Sequence, residues 1–273
     1  MFGFSREKGS VGLDIGTHAI KAVELKTKGK GTKERFEVAR IGYEPLPHEA
    51  IVEGTIIDSS AVTEAIKAVF EKNKIANKNV TISLSGNSVI IKKITLPSME
   101  TQELAESIIW EAKHNIPYPY EETNVDYAIL KPRRAEDGQS SLEILLVAAK
   151  KDKIASYSNV VHQAQKNLEA VEVDLFALQN ILEANYSEIL ADKTVAGVNI
   201  GAHITNIIIS ERGIPQIFRD LSIGGFYFIE NMRKSLGVGF DEAEKLLRSA
   251  PVKDIEPAQA EAVISINLSL IHI

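Results

Sequence analysis

The sequence predicts an α/β protein of two lobes, with a small α+β unit inserted into the first lobe. With 273 residues and 44% hydrophobic content, the chain can bury more than one core. Apolar strand patterns alternate with amphipathic helix patterns along most of its length. A strand, a glycine-containing turn and a second strand occur twice, 185 residues apart, and each copy opens one of the lobes.

The first lobe is predicted to comprise residues 1–85 and 150–190. Two apolar strand patterns on either side of a turn at Gly16-Thr17-His18 predict a β-hairpin over residues 11–25. The other elements follow from strand and helix periodicity. They are strands at 35–43, 80–84 and 171–173, and helices at 61–72, 152–168 and 175–190, with Leu168 on the apolar face of the second helix.

The inserted unit is predicted to span residues 86–149. Its helix, 101–115, has Ser98 or Thr101 as the expected N-cap, and Pro117 and Pro119 as stop signals. Its strands are predicted at 88–96, 125–130 and 142–149. A polar loop at 131–141 begins with a basic cluster, KPRR at 131–134, interpreted as a solvated turn or, alternatively, as a docking contact for an acidic partner.

The second lobe is predicted to comprise residues 191–273. Strands are expected at 195–200, 204–210 and 213–221, and helices at 227–236 and 240–248. Gly224 and Gly225 are expected to turn the chain into the first of these helices rather than to bind a ligand.

Composition excludes several classes of function. The net charge is -6, from 31 Lys and Arg against 37 Asp and Glu, so general attraction to nucleic acid has no support. The absence of cysteine excludes disulfides, thiolate catalysis and Cys-ligated metals. No signal peptide and no apolar run of about 18 residues is present, which predicts a cytoplasmic protein.

The repeated motif predicts a phosphate site. Asp14 and Gly16 of the first copy correspond to Asn199 and Gly201 of the second. Turns of small residues let backbone N–H groups approach phosphate oxygens, and a carboxylate at Asp14 can hold Mg²⁺ through coordinated waters. The hydroxyls of Thr17 and Thr205 are further candidates for phosphate contacts. Either copy alone is an ordinary turn; two copies that open two lobes favour a polyphosphate site.

These residues resemble a known superfamily. Residues 12–17 with 21–25 resemble the first phosphate motif of the actin, heat-shock-chaperone and sugar-kinase ATPases, and residues 198–205 resemble the second. The opening Met-Phe-Gly-Phe, Leu96-Pro97, Ile116-Pro117-Tyr118 and the segment 173–178 are more narrowly similar to the PilM family of type IV pilus assembly proteins, relatives of FtsA. The resemblance implies an actin-like ATPase fold that binds ATP and Mg²⁺.

The resemblance also assigns roles to individual residues. Asp14 is then the Mg²⁺-associated carboxylate, and Lys21 either reaches a phosphate or is a solvent-facing strand residue. Asp174 either orients the attacking water or is the N-cap of its helix. Asn199 stands where faster ATPases carry Asp, so binding with slow or no hydrolysis is expected. Residues expected around the phosphates are Gly16, Thr17, Gly201, Ala202 and Thr205, and those expected near the ribose and base are Glu244 and Lys245.

The same resemblance implies a cytoplasmic scaffold, held at the inner membrane by its partner PilN. The N-terminal peptide of PilN is expected in a groove between the insert and the first lobe. Other inner-membrane pilus proteins, the assembly ATPase and further copies of the chain are additional expected partners. The alternatives are an FtsA-like filament protein and a sugar-kinase-type phosphotransferase, which would need a substrate-side base and has no candidate beyond Asp174.

The end of the sequence departs from the family pattern. The family continues with a further strand, a Gly-Gly turn and a closing helix. Residues 268–273 resemble a translated sequencing adapter, so resequencing is expected to give a different continuation after about Asn267.

Overall fold

A computed structural model of the chain describes residues 11–28, 35–134 and 140–248. The sequence interpretations of the first eight residues and of residues 268–273 lie outside these described residues. Within the described ranges, no helix is both long enough and apolar enough to cross a membrane.

Five strands between Val11 and Val173 form one sheet. Its strand order is β10-β6-β1-β2-β3, with β1 parallel to β6, β6 parallel to β10, and β2 antiparallel to both β1 and β3. Helices α1 and α3 pack together, and their apolar faces bury Val11, Leu13 and Ile20 in one core. The bounds are β1 Val11–Ile15, β2 Ala19–Lys28, β3 Arg35–Pro45, α1 Ser59–Lys72, β6 Asn79–Leu84, α3 Lys151–Gln163 and β10 Asn167–Val173.

A short hairpin that sequence patterns did not reveal precedes α1. It joins β4 (Ile51–Val52) to β5 (Thr55–Ile56) through Glu53 and Gly54, whose φ angles are 48° and 74°. The buried Tyr157 of α3 donates a hydrogen bond from its hydroxyl to the Gly54 carbonyl, at 3.0 Å. Strands of two residues are too short for a periodicity to detect.

The insert has its own sheet and its own core. The antiparallel sheet has the order β7-β9-β8, and α2 packs on it through Leu104, Ile108 and Ala112, one turn apart. The helix bounds agree with the prediction. The elements are β7 Val89–Pro97, α2 Thr101–Asn115, β8 Thr123–Arg134 and β9 Ser140–Lys150.

The remaining elements form a second three-stranded sheet, ordered β11-β12-β13, and three helices. Contacts divide the described residues into two compact units, those within 11–197 together with 208–218, and those within 198–207 together with 219–248. The lobe boundaries from the sequence stay a prediction. The bounds are α4 Asp174–Asp192, β11 Thr194–Ile200, β12 Thr205–Glu211, β13 Ile214–Leu221, α5 Gly225–Leu236 and α6 Phe240–Leu247.

The prediction that the helix after the insert runs to Leu168 is wrong. Helix α3 ends at Gln163, and Gln165 adopts a φ of 58°, which breaks the helical path. The Asn167 N–H then donates to the Lys78 carbonyl at 2.9 Å and starts the pairing of β10 with β6. Leu168 reaches the core from a strand, at a position that also satisfies helical spacing.

Two predictions for the insert are also wrong. The basic cluster at 131–134 belongs to strand β8 rather than to a loop, and Pro132 is tolerated because β8 is at the edge of its sheet. Neither Ser98 nor Thr101 caps α2, since the N-cap is Glu100, without a side-chain hydrogen bond. The Ser98 N–H instead donates to the Ser140 carbonyl at 2.9 Å, extending the β7–β9 pairing.

Candidate functional site

The first glycine turn connects β1 to β2. The alternation of β1 buries Leu13 and Ile15 and leaves Asp14 on the exposed face. The Gly16 N–H donates to the Ala19 carbonyl at 3.2 Å and closes a turn with Thr17 at its first central position. A Cβ on Gly16 would lie 3.1 Å from that carbonyl oxygen, so the turn favours glycine.

Lys21 is the cross-strand partner of Asp14. Its Nζ donates to Asp14 Oδ2 at 2.7 Å, and both side chains are about half exposed. Lys21 is a half-exposed strand residue that places its ammonium group on the carboxylate predicted to hold Mg²⁺, and its contact with a phosphate stays a prediction. Exposed pairs contribute little to stability, about 0–1 kcal/mol.

The second glycine turn repeats the backbone arrangement of the first. The Gly201 N–H donates to the Ile204 carbonyl at 2.9 Å, with Ala202 and His203 between them. A Cβ on Gly201 would lie 2.8 Å from the Ile204 oxygen. The two copies of the sequence motif thus form the same type of closed turn.

Side chains beside the second turn form a directed chain of hydrogen bonds. Asn199 Nδ2 donates to Asn206 Oδ1 at 3.0 Å, and Asn206 Nδ2 donates to Asp220 Oδ1 at 2.8 Å. Thr205 is buried, and its hydroxyl donates to the Ile223 carbonyl at 2.6 Å. A phosphate contact from Thr205 stays a prediction, and a hydroxyl that donated to phosphate would give up this hydrogen bond.

Helix α5 begins against the second turn. The N–H groups of Gly225 and Phe226 donate to the carbonyls of Gly201 and Ala202, at 2.9 and 2.8 Å. A Cβ on Gly224 would lie 2.6 Å from the Gly201 oxygen. Gly224 does turn the chain into the helix, as predicted. Sequence reasoning missed its close approach to the second turn, which the Gly-Gly pair could have suggested.

Asp174 and Asp14 lie at the same end of the five-stranded sheet. Strands β1, β6 and β10 are parallel, and Leu13 and Val171 are both level with Ile82. Burial raises the pKa of the Tyr157 phenol, and the charges of Asp174 and Asp14 raise it further. Two residues predicted for the site from distant segments thus act on one buried side chain.

The alternative interpretation of Asp174 as an N-cap is wrong. The N-cap of α4 is Val173, with extended backbone angles, and Asp174 is the first helical residue. A carboxylate in the first turn still interacts favourably with the helix dipole. The water-orienting role stays a prediction.

Glu244 and Lys245 lie on α6. Glu244 accepts a hydrogen bond from Arg248 Nη2 at 2.7 Å, and Lys245 is exposed. Their neighbours Ala243 and Leu246 are buried in the core between α5 and α6. Their contacts with ribose and base stay a prediction. Within the described ranges, no cluster of three or more His, Asp or Glu could hold a metal ion by itself.

A cavity of about 250 Å³ lies between elements of the five-stranded sheet region and strands of the insert, and we call it the insert groove. One wall comes from β6, α3, β10 and α4, and the other from β7, β8 and β9. Most of its lining is apolar. The lining residues are Leu84, Val89, Asn124, Val125, Asp126, Val147, Ala149, Ile154, Val171, Glu172, Val173 and Phe176.

The insert groove carries an acidic pair that the sequence analysis missed. The pKa of Glu172 is raised, mainly because burial removes water from its carboxylate. A hydrogen bond from the Val173 N–H partly offsets this rise, and the negative charge of Asp126 adds to it. Asp126 Oδ1 accepts a hydrogen bond from the Tyr127 N–H at 2.8 Å. Neither carboxylate forms an ion pair with any residue that the structure describes.

Comparison with known proteins identifies relatives of this architecture. A family model described as type IV pilus assembly protein PilM matches residues 12–254. A solved PilM-PilN type IV pilus biogenesis complex is 25% identical, with a TM-score of 0.80, over 96% of this chain and 74% of that one. The ethanolamine utilization protein EutJ from Carboxydothermus hydrogenoformans is 13% identical, with a TM-score of 0.52, over 98% of this chain and 68% of that one. The fold is therefore the actin-like ATPase fold.

Proposed function

The chain belongs to the PilM family of type IV pilus assembly proteins, and from that premise we propose that it is a MgATP-binding scaffold that holds a PilN peptide in the insert groove. The observation that carries the proposal is the likeness to the PilM-PilN complex over 96% of the chain. In this proposal PilN, a membrane partner, keeps the otherwise cytoplasmic scaffold at the inner membrane.

The two glycine turns are the proposed phosphate contacts. The N–H groups of Gly16 and Gly201 close their own turns, so the phosphate contacts come from the central positions, Thr17 and Ala202. Backbone N–H groups in tight turns are suited to binding anions. The close approach of backbone oxygens to Gly16 and Gly201 supports this assignment, because a side chain at either position would disturb the turn.

Asp14 is the proposed Mg²⁺ residue. A single half-exposed carboxylate suits a cation that keeps several of its waters and takes its remaining ligands from phosphate. When bound, Mg²⁺ neutralises part of the phosphate charge. Lys21, already paired with Asp14, adds a positive charge beside the same phosphates. Glu244 and Lys245 are the proposed contacts for the ribose and base.

ATP hydrolysis is proposed to be slow or absent. The Asn199 amide cannot act as a base and carries no charge for a metal-bound water. Its Nδ2 is held by Asn206, which supports a positioning role beside the turn. Asp174 is the one proposed water-orienting residue.

The insert groove suits an extended apolar peptide. Among the described strands, β10 is an edge strand of the five-stranded sheet and β8 is an edge strand of the insert sheet. Each of these two strands contributes residues to one wall of the groove. An extended peptide can add to a free sheet edge through main-chain hydrogen bonds, while its apolar side chains fill the cavity.

Calorimetry with the full chain tests the proposal. MgATP and a synthetic peptide of the first ten residues of PilN from the same organism are titrated separately and then together. We expect both to bind and phosphate release to be negligible. Asn124→Trp, which fills the groove, is expected to abolish peptide binding and leave MgATP binding unchanged. Ile129→Trp, an exposed position of the same strand outside the groove, is the control. Absence of peptide binding to the unmodified chain would refute the scaffold proposal.

A further inference from the structure

We propose that Glu172 and Asp126 select a peptide that carries a Lys or Arg side chain, with the cation held between the two walls of the insert groove. This inference rests on the proposed peptide-binding function and names the chemistry that the groove recognises. Asp126 lies on β8 and Glu172 on β10, so the two carboxylates come from opposite walls.

The surroundings of Glu172 argue for an incoming cation. Glu172 is half-buried, lines the groove together with Val171 and Val173, and interacts with the negative charge of Asp126. No Lys or Arg is among the described residues that line the groove. A desolvated carboxylate near a like charge is unfavourable unless a cation compensates it. The groove thus holds two negative charges that its own described lining does not neutralise.

The apolar lining defines the rest of the ligand. Val89, Val147, Ile154 and Phe176 offer surface only to aliphatic or aromatic side chains. A purely apolar peptide would cover Glu172 and remove its remaining water, which costs binding energy. A peptide with one cationic side chain among apolar ones would avoid that cost. The interaction of the peptide cation with the two carboxylates therefore contributes specificity, and the apolar contacts supply most of the affinity.

A peptide that contacted both carboxylates would also connect β8 to β10. The insert has a core built on α2 and β9, and the groove lies between its strand β8 and the edge strand β10. The cation would add two attractive interactions that offset the repulsion between the carboxylates.

The test combines charge changes on both partners. The probes are the ten-residue N-terminal PilN peptide and the same peptide with each Lys and Arg replaced by Gln. Glu172→Gln and Asp126→Asn are compared with Glu169→Gln, an exposed carboxylate on the same strand β10 outside the groove. Binding is measured by calorimetry at two salt concentrations.

We expect each groove variant to weaken the cationic peptide about 5- to 10-fold, and the double variant more. The Gln-replaced peptide should bind the unmodified chain about 10-fold more weakly, and Glu172→Gln should not weaken it further, because that variant removes the charge that the peptide would leave uncompensated. Glu169→Gln should change nothing. Added salt should weaken the cationic peptide more than its Gln-replaced form.

Three outcomes would overturn the inference. Equal binding of both peptides to the unmodified chain would remove the charge selection and leave the scaffold proposal intact. Tighter binding of the cationic peptide to Glu172→Gln would mean that the carboxylate only opposes burial. Loss of binding upon acetylation of the peptide's terminal amine, without any effect of the Gln replacement, would assign the cation to that amine. A fourth outcome, in which neither peptide binds, would refute both this inference and the scaffold proposal.

Discussion

Lys21 and Asp14 face each other across the first two strands of the five-stranded sheet, with Nζ 2.7 Å from Oδ2. Both side chains are about half exposed, so the pair adds little to folding stability. It combines a carboxylate suited to hydrated Mg²⁺ with a cation suited to phosphate, beside a turn of small residues. A substitution in this pair should therefore change ligand binding while leaving the free energy of unfolding almost unchanged.

Asp14→Ala is expected to weaken MgATP binding about 10-fold or more, because the proposed metal-associated carboxylate is lost. The thermal unfolding midpoint should change little. Glu37→Ala is the matched control, since Glu37 is also paired with a lysine in this sheet, at 2.6 Å from Lys28. Calorimetric titration and thermal unfolding check both expectations. Unchanged MgATP affinity in Asp14→Ala would remove Asp14 from the site.

Gly224→Ala is expected to destabilise the second unit and to weaken MgATP binding. The new Cβ would lie 2.6 Å from the Gly201 oxygen and 2.7 Å from the Ala202 oxygen. Overpacking of this kind costs about 1–3 kcal/mol. Gly239→Ala is the control, because Gly239 also precedes a helix but has nothing within 4 Å of its Cβ position. Thermal unfolding compares the two, and equal midpoints would contradict the close approach.

Asn199→Asp is expected to raise steady-state phosphate release about 10-fold, because a second carboxylate can orient metal-bound water. The new carboxylate would face Asn206 Oδ1, so the Asn206 amide must turn and give up its bond to Asp220. A small loss of stability should accompany the gain. Asn185→Asp, an exposed amide bonded to the Ile181 carbonyl, is the control. Phosphate release that stays at the level of the unmodified chain would mean that Asn199 does not limit hydrolysis.

Glu172→Gln is expected to stabilise the protein at neutral pH. The pKa of Glu172 is raised in the folded state, so between the ordinary and the raised pKa the folded protein binds more protons than the unfolded chain. The contribution of Glu172 to the free energy of unfolding is therefore most favourable at low pH. It falls as the pH rises from the ordinary pKa through the raised pKa of this carboxyl. Since solvent reaches half of the side chain, the midpoint should rise by only about 1–2 °C.

Thermal unfolding of Glu172→Gln and of the unmodified chain, repeated at decreasing pH, checks that the pKa of Glu172 is raised rather than lowered. The difference between Glu172→Gln and the unmodified chain should shrink as the carboxyl becomes protonated. Glu169→Gln, at an exposed position of the same strand, is measured as the control. A difference that grows at low pH would contradict the raised pKa.

Local patterns were sufficient where one face of an element is buried. The apolar strand patterns on either side of the Gly16 turn predicted the first hairpin, and Pro117 and Pro119 predicted where α2 ends. The end of α3 was not predictable in this way, because Leu168 satisfies helical spacing and yet reaches the core from β10. The positive φ of Gln165 decides the outcome, and no residue type there signals it.

The site was predictable only in part for a related reason. The repeated motif contains both glycine turns, so Gly16 and Gly201 could be found by comparing the chain with itself. The Glu172 and Asp126 pair could not, because each residue is an ordinary charge in its own strand. Their relationship depends on how β10 and β8 face each other across the groove.

The attachment of α5 to the second turn has a mechanical consequence. The N–H groups of Gly225 and Phe226 hold the carbonyls of that turn, and α5 shares a core with α6 through Met232 and Ala243. The turn and the two helices are therefore connected by hydrogen bonds and by shared packing. Phosphate bound at the proposed contact beside this turn would act on both helices through those contacts.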